Sequence, residues 1–450
     1  MTGGAADGAR LPIVFVHGNG ETGAAWSSLA ARFRGLGYAR LFAVDLDPPG
    51  HGSCVDYARQ LADYVAQDVQ PHIGAGAPFA LIAHSLGAPV VRYYLSVLGG
   101  ASTVSHAIYI AGCVSGAPAC DVMLLRDPQG RIFRQAPEIH TGGSAFLEDL
   151  DARGPPPNVR SLTISSPDDA QYLLFEEGPQ LAGADNRVLP GLGHWAIREA
   201  DDSFALMAAF LEDRAELCDL GRHAPSPPES PVGTWLACEP EFQDLVLSFD
   251  DRGVVTQSFQ GRRAEGVFVA APSPPNHRVD LRLGDEQILG LYRLTLDGET
   301  LGLVRGEPSG PRPRRFRLPA LFRRAAPGGW PPDLTGVWRS TAPGALGGIG
   351  LKAFTLDMAG DGRWRIQVHE GEDIRVEGAW SAAPPREAGE GPFRLDLTIA
   401  RSNTPRLAEG AWWGGLAQVA DGVMRLEMPA VTRGAIRPQV IDNPAVLVRA

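Results

Sequence analysis

A serine hydroxyl becomes an effective nucleophile only where a neighbouring base takes its proton during attack, and one stretch of this chain suits such a serine. Ser85 lies in His84-Ser85-Leu86-Gly87, between the apolar run Phe79-Ala-Leu-Ile-Ala83 and an apolar-periodic stretch through Val90, Val91, Tyr94 and Leu98. Read as strand, tight turn and helix, this pushes the Ser85 hydroxyl above a sheet edge and aims the Leu86 N–H at a developing oxyanion. Gly87 keeps a Cβ out of the crowded turn. The pattern Gly-x-Ser-x-Gly is met except at its first position, which is Ala83. A buried serine that merely caps a helix is the competing reading, and the strand–turn–helix context favours the nucleophile.

The base should be a histidine held by a carboxylate. With Ser85 fixed, His194 in Gly191-Leu-Gly-His194-Trp195 fits best, in a glycine-rich loop just before a closing helix. His17, His51 and His72 precede the serine, and His84 beside it has the wrong side-chain direction. His106 opens a strand, His140 lies in a strandless stretch, and His223, His277 and His369 fall outside the domain. The acid should follow the strand at 159–165, which leaves Asp168 or Asp169. Spacing separates these neighbours poorly; Asp168 is preferred because it comes first, and the other would be a solvated helix N-cap.

Positioning these groups takes a sheet whose strands end at them. Residues 11–17, 41–46, 79–84, 106–111, 159–165 and 186–190 read as strands, and 23–36, 55–73, the stretch after Ser85 and 202–211 as helices. Strands alternating with helices imply right-handed crossovers and a doubly wound, mostly parallel α/β sheet buried on both faces. Reactive groups collect at the carboxyl ends of such strands, and His17, Ser85, Asp168 and His194 each follow a predicted strand. From 113 to 158 no strand pattern emerges. A long irregular stretch of this kind is either a small cap that touches substrate or a meandering surface loop.

Composition changes after the α/β region. Residues 221–230 read as a Pro/Ser-rich linker, and beyond them short strands alternate with turns. Pro231-Val-Gly-Thr-Trp235 is echoed by Leu334-Thr-Gly-Val-Trp338, and Pro319-Ala-Leu-Phe-Arg-Arg-Ala325 by Pro444-Ala-Val-Leu-Val-Arg-Ala450. The repeated opening and closing phrases imply two tandem all-β domains, barrel- or sandwich-like. The expected organisation is a catalytic domain at 1–220, the linker, and β domains at 231–325 and 326–450. The basic run Arg312-Pro-Arg-Arg-Phe-Arg317 reads as a solvated strand edge rather than an anion site.

The totals set outer limits. At 450 residues, 44% hydrophobic and 21% charged, the chain is long enough for about three globular domains. A net charge of −11 speaks against non-specific nucleic-acid binding. Among Cys54, Cys113, Cys120, Cys218 and Cys238 no pair has metal-ligand spacing, so no structural zinc is expected. Cys113 and Cys120 form either a local disulfide or two thiols. No apolar stretch approaches the ~18 residues that span a bilayer, so no transmembrane segment is expected. The first residues lack a basic and then apolar leader pattern, which predicts a cytoplasmic chain, or a secreted one if a leader has been removed.

Taken together, residues 11 to about 213 resemble the α/β-hydrolase superfamily, and within it the compact bacterial lipases and esterases, which also carry Ala-His-Ser-x-Gly. His17-Gly18-Asn19-Gly20 is similar to their His-Gly oxyanion loop, which implies the Asn19 N–H as partner to that of Leu86. Ser165-Ser-Pro-Asp168 is similar to their Ser-Ser-x-Asp, which implies Asp168 as the acid, and Gly191-x-Gly-His194 matches their Gly-x-Gly-His. Pro48-Pro-Gly-His-Gly-Ser53 is common across the superfamily and is taken as structural. The Gly-x-Trp that opens each β domain resembles lipocalin-like barrels. The resemblance implies ester hydrolysis through an acyl-enzyme on Ser85, without metal or organic cofactor, on a small-molecule, lipid or polymer ester. A thioesterase, a polyester depolymerase, and a non-catalytic hydrolase fold serving as a binding module are the competing functions.

Overall fold

The computed structural model describes residues 10–141, 143–214, 219–222, 226–238, 242, 245–295, 297–325, 333–341, 344–346, 349–351, 353–368, 374–383, 392–404, 412–428 and 444–449. The leader question at 1–9 and Cys218 lie outside them. The chain divides between residues 224 and 225 into two compact units.

In the first unit, β1 (Ile13–Val16), β2 (Leu41–Val44), β3 (Phe79–His84), β4 (Val104–Ile110), β5 (Arg160–Ser165) and β6 (Asp185–Val188) form a six-stranded sheet ordered β2-β1-β3-β4-β5-β6. Every neighbouring pair is parallel. Strand β3 is buried at all six positions, which is why its sequence is a continuous apolar run rather than an alternation. Its side chains still divide by parity. Leu81 and Ala83 join Val14 and Val16 in one core, whereas Ala80 and Ile82 join Ile13 and Phe15 in the other. A slip of one residue would exchange the two faces.

Helices cover both faces. The first core includes Tyr57, Ala58 and Leu61 of α2 (Cys54–Tyr64), with Val90, Val91 and Tyr94 of α4 (Gly87–Ser96); the second includes Leu29, Ala30 and Phe33 of α1 (Ser27–Gly35). Ser53 caps α2 by accepting from the Asp56 N–H at 3.0 Å. The helix predicted at 55–73 is interrupted: a π-helical turn at Val65–Val69 separates α2 from α3 (Gln70–Ile73). Pro71 has no N–H to continue the α-helical ladder there. Residues 113–158 contain α5 (Pro118–Arg126), α6 (Ala136–Ile139) and α7 (Ala145–Arg153). After β6 come α8 (Ala196–Glu199) and α9 (Asp201–Leu211). No helix among the described residues is long and apolar enough to cross a membrane.

The second unit holds two closed antiparallel barrels of eight strands each, one running from β7 (Gly233–Ala237) to β14 (Ala320–Arg324), the other from β15 (Gly336–Ser340) to β24 (Ala445–Arg449). A hairpin of β16 (Gly344–Leu346) and β17 (Ile349–Leu351) stands outside the second ring. The repeated phrases form the same closure twice. Arg324 on the last strand of the first barrel pairs in register with Trp235, its guanidinium 4.3 Å from the ring centre; Arg449 does the same to Trp338 at 4.7 Å. Each indole N–H is satisfied by a carbonyl four residues earlier, Pro231 at 2.8 Å and Leu334 at 3.0 Å. Gly233 stands where a Cβ would meet the Arg324 guanidinium at 2.3 Å. Within the basic run at 312–317 Arg314 and Arg315 are exposed, whereas half-buried Arg312 donates to the carbonyls of Val279 and Gly290 and to Asp280.

Candidate active site

Strand β3 delivers Ser85 into a turn that few residues adopt. Its φ is 52°, in the left-handed region that a side chain other than glycine rarely visits. Three backbone bonds hold it there: the Ser85 N–H donates to Ile110 at 3.0 Å, and the Ser85 carbonyl accepts from Ala88 at 3.0 Å and Cys113 at 3.1 Å. Such over-determination is what lets strain persist. The turn also needs its glycine, because a Cβ on Gly87 would lie 2.7 Å from the Val16 carbonyl. Gly18 is confined less severely; a Cβ there would lie 3.1 Å from that of Ser85.

His194 comes from the loop between β6 and α8. Its Nε2 is 3.0 Å from the Ser85 hydroxyl and its Nδ1 is 2.8 Å from Asp169 Oδ2. The carboxylate that meets His194 therefore belongs to Asp169 and not, as the sequence favoured, to Asp168. The two diverge in the turn after β5. Asp169 is fully buried and also accepts from the Gln171 N–H at 2.8 Å, whereas half-buried Asp168 accepts from the Gly191 N–H at 2.6 Å. Asp168 thus braces the loop that carries His194. A carboxylate at Asp169 can only accept, so His194 donates to it through Nδ1–H, which leaves the Nε2 lone pair facing the Ser85 O–H. That arrangement can draw a proton from the serine as it attacks.

The two amides nominated for the oxyanion follow β1 and Ser85. Among the described residues neither the Asn19 nor the Leu86 N–H has a hydrogen-bond partner in the protein. Leu86 is the N-cap of α4, where backbone donors and the helix dipole favour negative charge. His17 helps fix the loop rather than acting as a base, since its Nε2 accepts from the Leu46 N–H at 3.0 Å and its Nδ1 bonds the Gly18 carbonyl at 2.9 Å.

Glu21 escaped the sequence reading, which had no spacing rule to single it out. Its carboxylate accepts from the Gly18 N–H at 3.0 Å and from Arg198 of α8 at 2.8 Å, and lies 3.5 Å from His84 Nδ1. Burial alone would raise this carboxyl, but the contacts with His84 and Arg198 outweigh it and hold Glu21 at about 2. His84 in turn donates through Nε2 to the His194 carbonyl at 2.9 Å, and burial pushes its own pKa down. One carboxylate thus ties together the loop after β1, the elbow and the segment carrying His194. Nearby Cys113 is a free thiol, as are Cys54 and Cys120, so the disulfide alternative is not realised. Burial pushes the Cys113 thiol up to about 11, which keeps it protonated and poorly nucleophilic beside Ser85. Among the described residues no cluster of three or more His, Cys, Asp or Glu could hold a metal ion.

A sequence profile described as the alpha/beta hydrolase family matches residues 13–278. No curated protein matches the sequence. Among solved structures, a lipase of Bacillus licheniformis is 20% identical over 46% of this chain and 93% of its own, with a TM-score of 0.39. A pyrethroid hydrolase of Sphingobium faniae is 16% identical over 46% of this chain and 99% of its own, with a TM-score of 0.32. The ydeN gene product of Bacillus subtilis is 17% identical over 45% and 99%, with a TM-score of 0.33.

Proposed function

Because the chain belongs to the α/β-hydrolase family, we propose that it is a serine hydrolase of carboxylic esters, of the compact lipase and esterase kind, with Ser85, His194 and Asp169 as its catalytic residues. The observation that carries this reading is the unbroken chain Ser85–His194–Asp169, with links of 3.0 and 2.8 Å. Ser85 Oγ attacks the ester carbonyl while His194 Nε2 takes its proton. The oxyanion of the tetrahedral intermediate is met by the Asn19 and Leu86 amides. As the intermediate collapses, His194 returns the proton to the departing alcohol and the acyl group stays on Ser85. Water then attacks, its proton passing to His194, and the acid leaves as Ser85 regains its hydrogen. Residues 231–325 and 326–450 are read as two β domains appended to a catalytic domain at 1–220 through a linker at 221–230.

Ser85→Ala is expected to lower kcat/KM on p-nitrophenyl esters by about 10⁴-fold or more while thermal unfolding is little changed. Retention of most of the activity sinks the assignment. A fluorophosphonate probe that leaves Ser85 unlabelled in the parent protein favours the binding module instead. Thioesters and polyesters suit the same chemistry, and a panel of these against acyl-chain length places the substrate.

A further inference from the structure

We propose that Gln135 is a positioning residue: reaching out of the 113–158 excursion, it holds the Asn19 loop so that the Asn19 N–H serves the oxyanion. The proposal rests on the reading of Ser85 as nucleophile and deepens it. Gln135 is 2% exposed, and its Nε2 donates to the Gly50 carbonyl at 2.9 Å and to Asn19 Oδ1 at 3.2 Å. The Gly50 carbonyl can only accept, so the orientation of the Gln135 amide is fixed by chemistry. This leaves Gln135 Oε1 buried without a partner, an unfavourable state that an apolar side chain of the same volume would avoid. Packing alone therefore does not account for glutamine here, whereas its two donated bonds do.

The bonds reach a loop that needs them. Asn19 and Gly20 are exposed, and the direction of an amide in an exposed turn is set by whatever tethers the turn. Gly50 backs the same loop, with a φ of 76° and a position where a Cβ would lie 3.1 Å from Asn19 Oδ1. The turn at 48–53, taken from sequence as structural, is thus the second half of the clasp. Its base is fixed as well. The Ile132 carbonyl meets His51 Nδ1 at 3.2 Å, and Glu138 accepts from the Cys54 N–H at 2.5 Å. A donor aimed where charge develops acts in the transition state and little in the ground state. Gln135 should therefore influence kcat more than KM.

The test uses the full chain with p-nitrophenyl butyrate and the matching thionoester, whose sulfur accepts hydrogen bonds less well than oxygen. Gln135→Met keeps the volume and removes the donor. The expected result is a fall in kcat of about 10- to 100-fold with KM within about twofold, and a smaller fall on the thionoester. An unchanged kcat, or equal losses on both substrates, overturns the proposal. If Gln135→Met does not fold, Asn19→Ala breaks the same link from the loop side while keeping the backbone donor; the same fall is expected, and an unchanged kcat overturns the proposal. Ser85→Ala separates the two levels. An active Ser85→Ala removes the nucleophile reading and this proposal with it, whereas an inactive Ser85→Ala beside a fully active Gln135→Met overturns this proposal alone.

Discussion

The α/β unit and the barrels both contain non-glycine residues with positive φ, but they place them differently. Among the described residues of the barrels these are Gln260, Ser309, Leu318 and Asp421, all exposed. Among those of the α/β unit Ser85, Ala111 and Leu174 are buried, and only Asp213 is exposed. A strained residue at the surface serves the local geometry of a turn. One in the interior persists only because its surroundings insist on it, which is the pattern of a functional site. Ala111 belongs to the same neighbourhood as Ser85: the Tyr172 hydroxyl lies 3.1 Å from both the Ala111 carbonyl and Cys113 Sγ, and the Cys113 N–H donates to the Ser85 carbonyl at 3.1 Å. Buried polar groups follow the same division. Around Ser85 they link loops from several strands, whereas in the barrels a fully buried tryptophan, Trp235 or Trp338, repeats one closure against half-buried Arg324 or exposed Arg449.

If the division is real, changing a buried polar group near Ser85 should alter rate more than stability. Among the groups around the nucleophile, Asp169→Asn should have the largest effect, a loss of about 10³- to 10⁴-fold in kcat, because an amide presents the wrong tautomer demand to His194. Asp168→Asn keeps an acceptor for the Gly191 N–H and should cost no more than about tenfold. Steady-state kinetics on one ester decides between them, and a reversed order would restore Asp168 as the acid. Trp338→Ala tests the other side. Emptying a fully buried indole should destabilise its barrel by about 3–5 kcal/mol in denaturant titration, with ester hydrolysis below the transition unchanged. Activity falling in step with stability would break the comparison.

The same contrast explains what the sequence could reveal. Continuous apolar runs at 13–16 and 79–84 announce parallel strands because both faces of those strands are buried, and strand ends place Ser85 and His194 on one edge. The echo of Gly-x-Trp exposed the duplication because the barrel closure uses one sequence phrase for one structural purpose. Whether the β regions were barrels or sandwiches depended on pairings between first and last strands, which no local pattern encodes. The choice between Asp168 and Asp169 turned on side-chain direction in one irregular turn, where neither the period of a strand nor that of a helix applies. Glu21 and Gln135 were invisible for a related reason. Each matters through contacts distant in the chain, Glu21 with Arg198 and Gln135 with Asn19 and Gly50.

Glu21 supplies the smallest predicted effect and the one with the clearest pH signature. Its folded pKa of about 2 lies below the usual 4.5. A depressed carboxyl contributes stability that is fully present above the unfolded value and is lost as pH falls through the folded value. The contribution should therefore be intact at neutral pH and fade between about pH 4.5 and pH 2. For an enclosed group that shift would correspond to roughly 3 kcal/mol, but Glu21 is partly solvated, and about 1–2 kcal/mol is the reasonable expectation. Glu21→Gln keeps an acceptor for the Gly18 N–H and removes the charge that faces Arg198 and His84. Urea titrations of parent and variant should differ by that amount at pH 7 and converge as the pH approaches 2. Equal stability of the two proteins at pH 7 would mean that hydrogen bonding to Gly18, which the variant keeps, and not charge, is what Glu21 contributes. The accompanying rate matters more. If kcat falls further than the small stability loss explains, Glu21 belongs with the interior groups that align the site, and the division between the two units extends to a residue that touches neither Ser85 nor substrate.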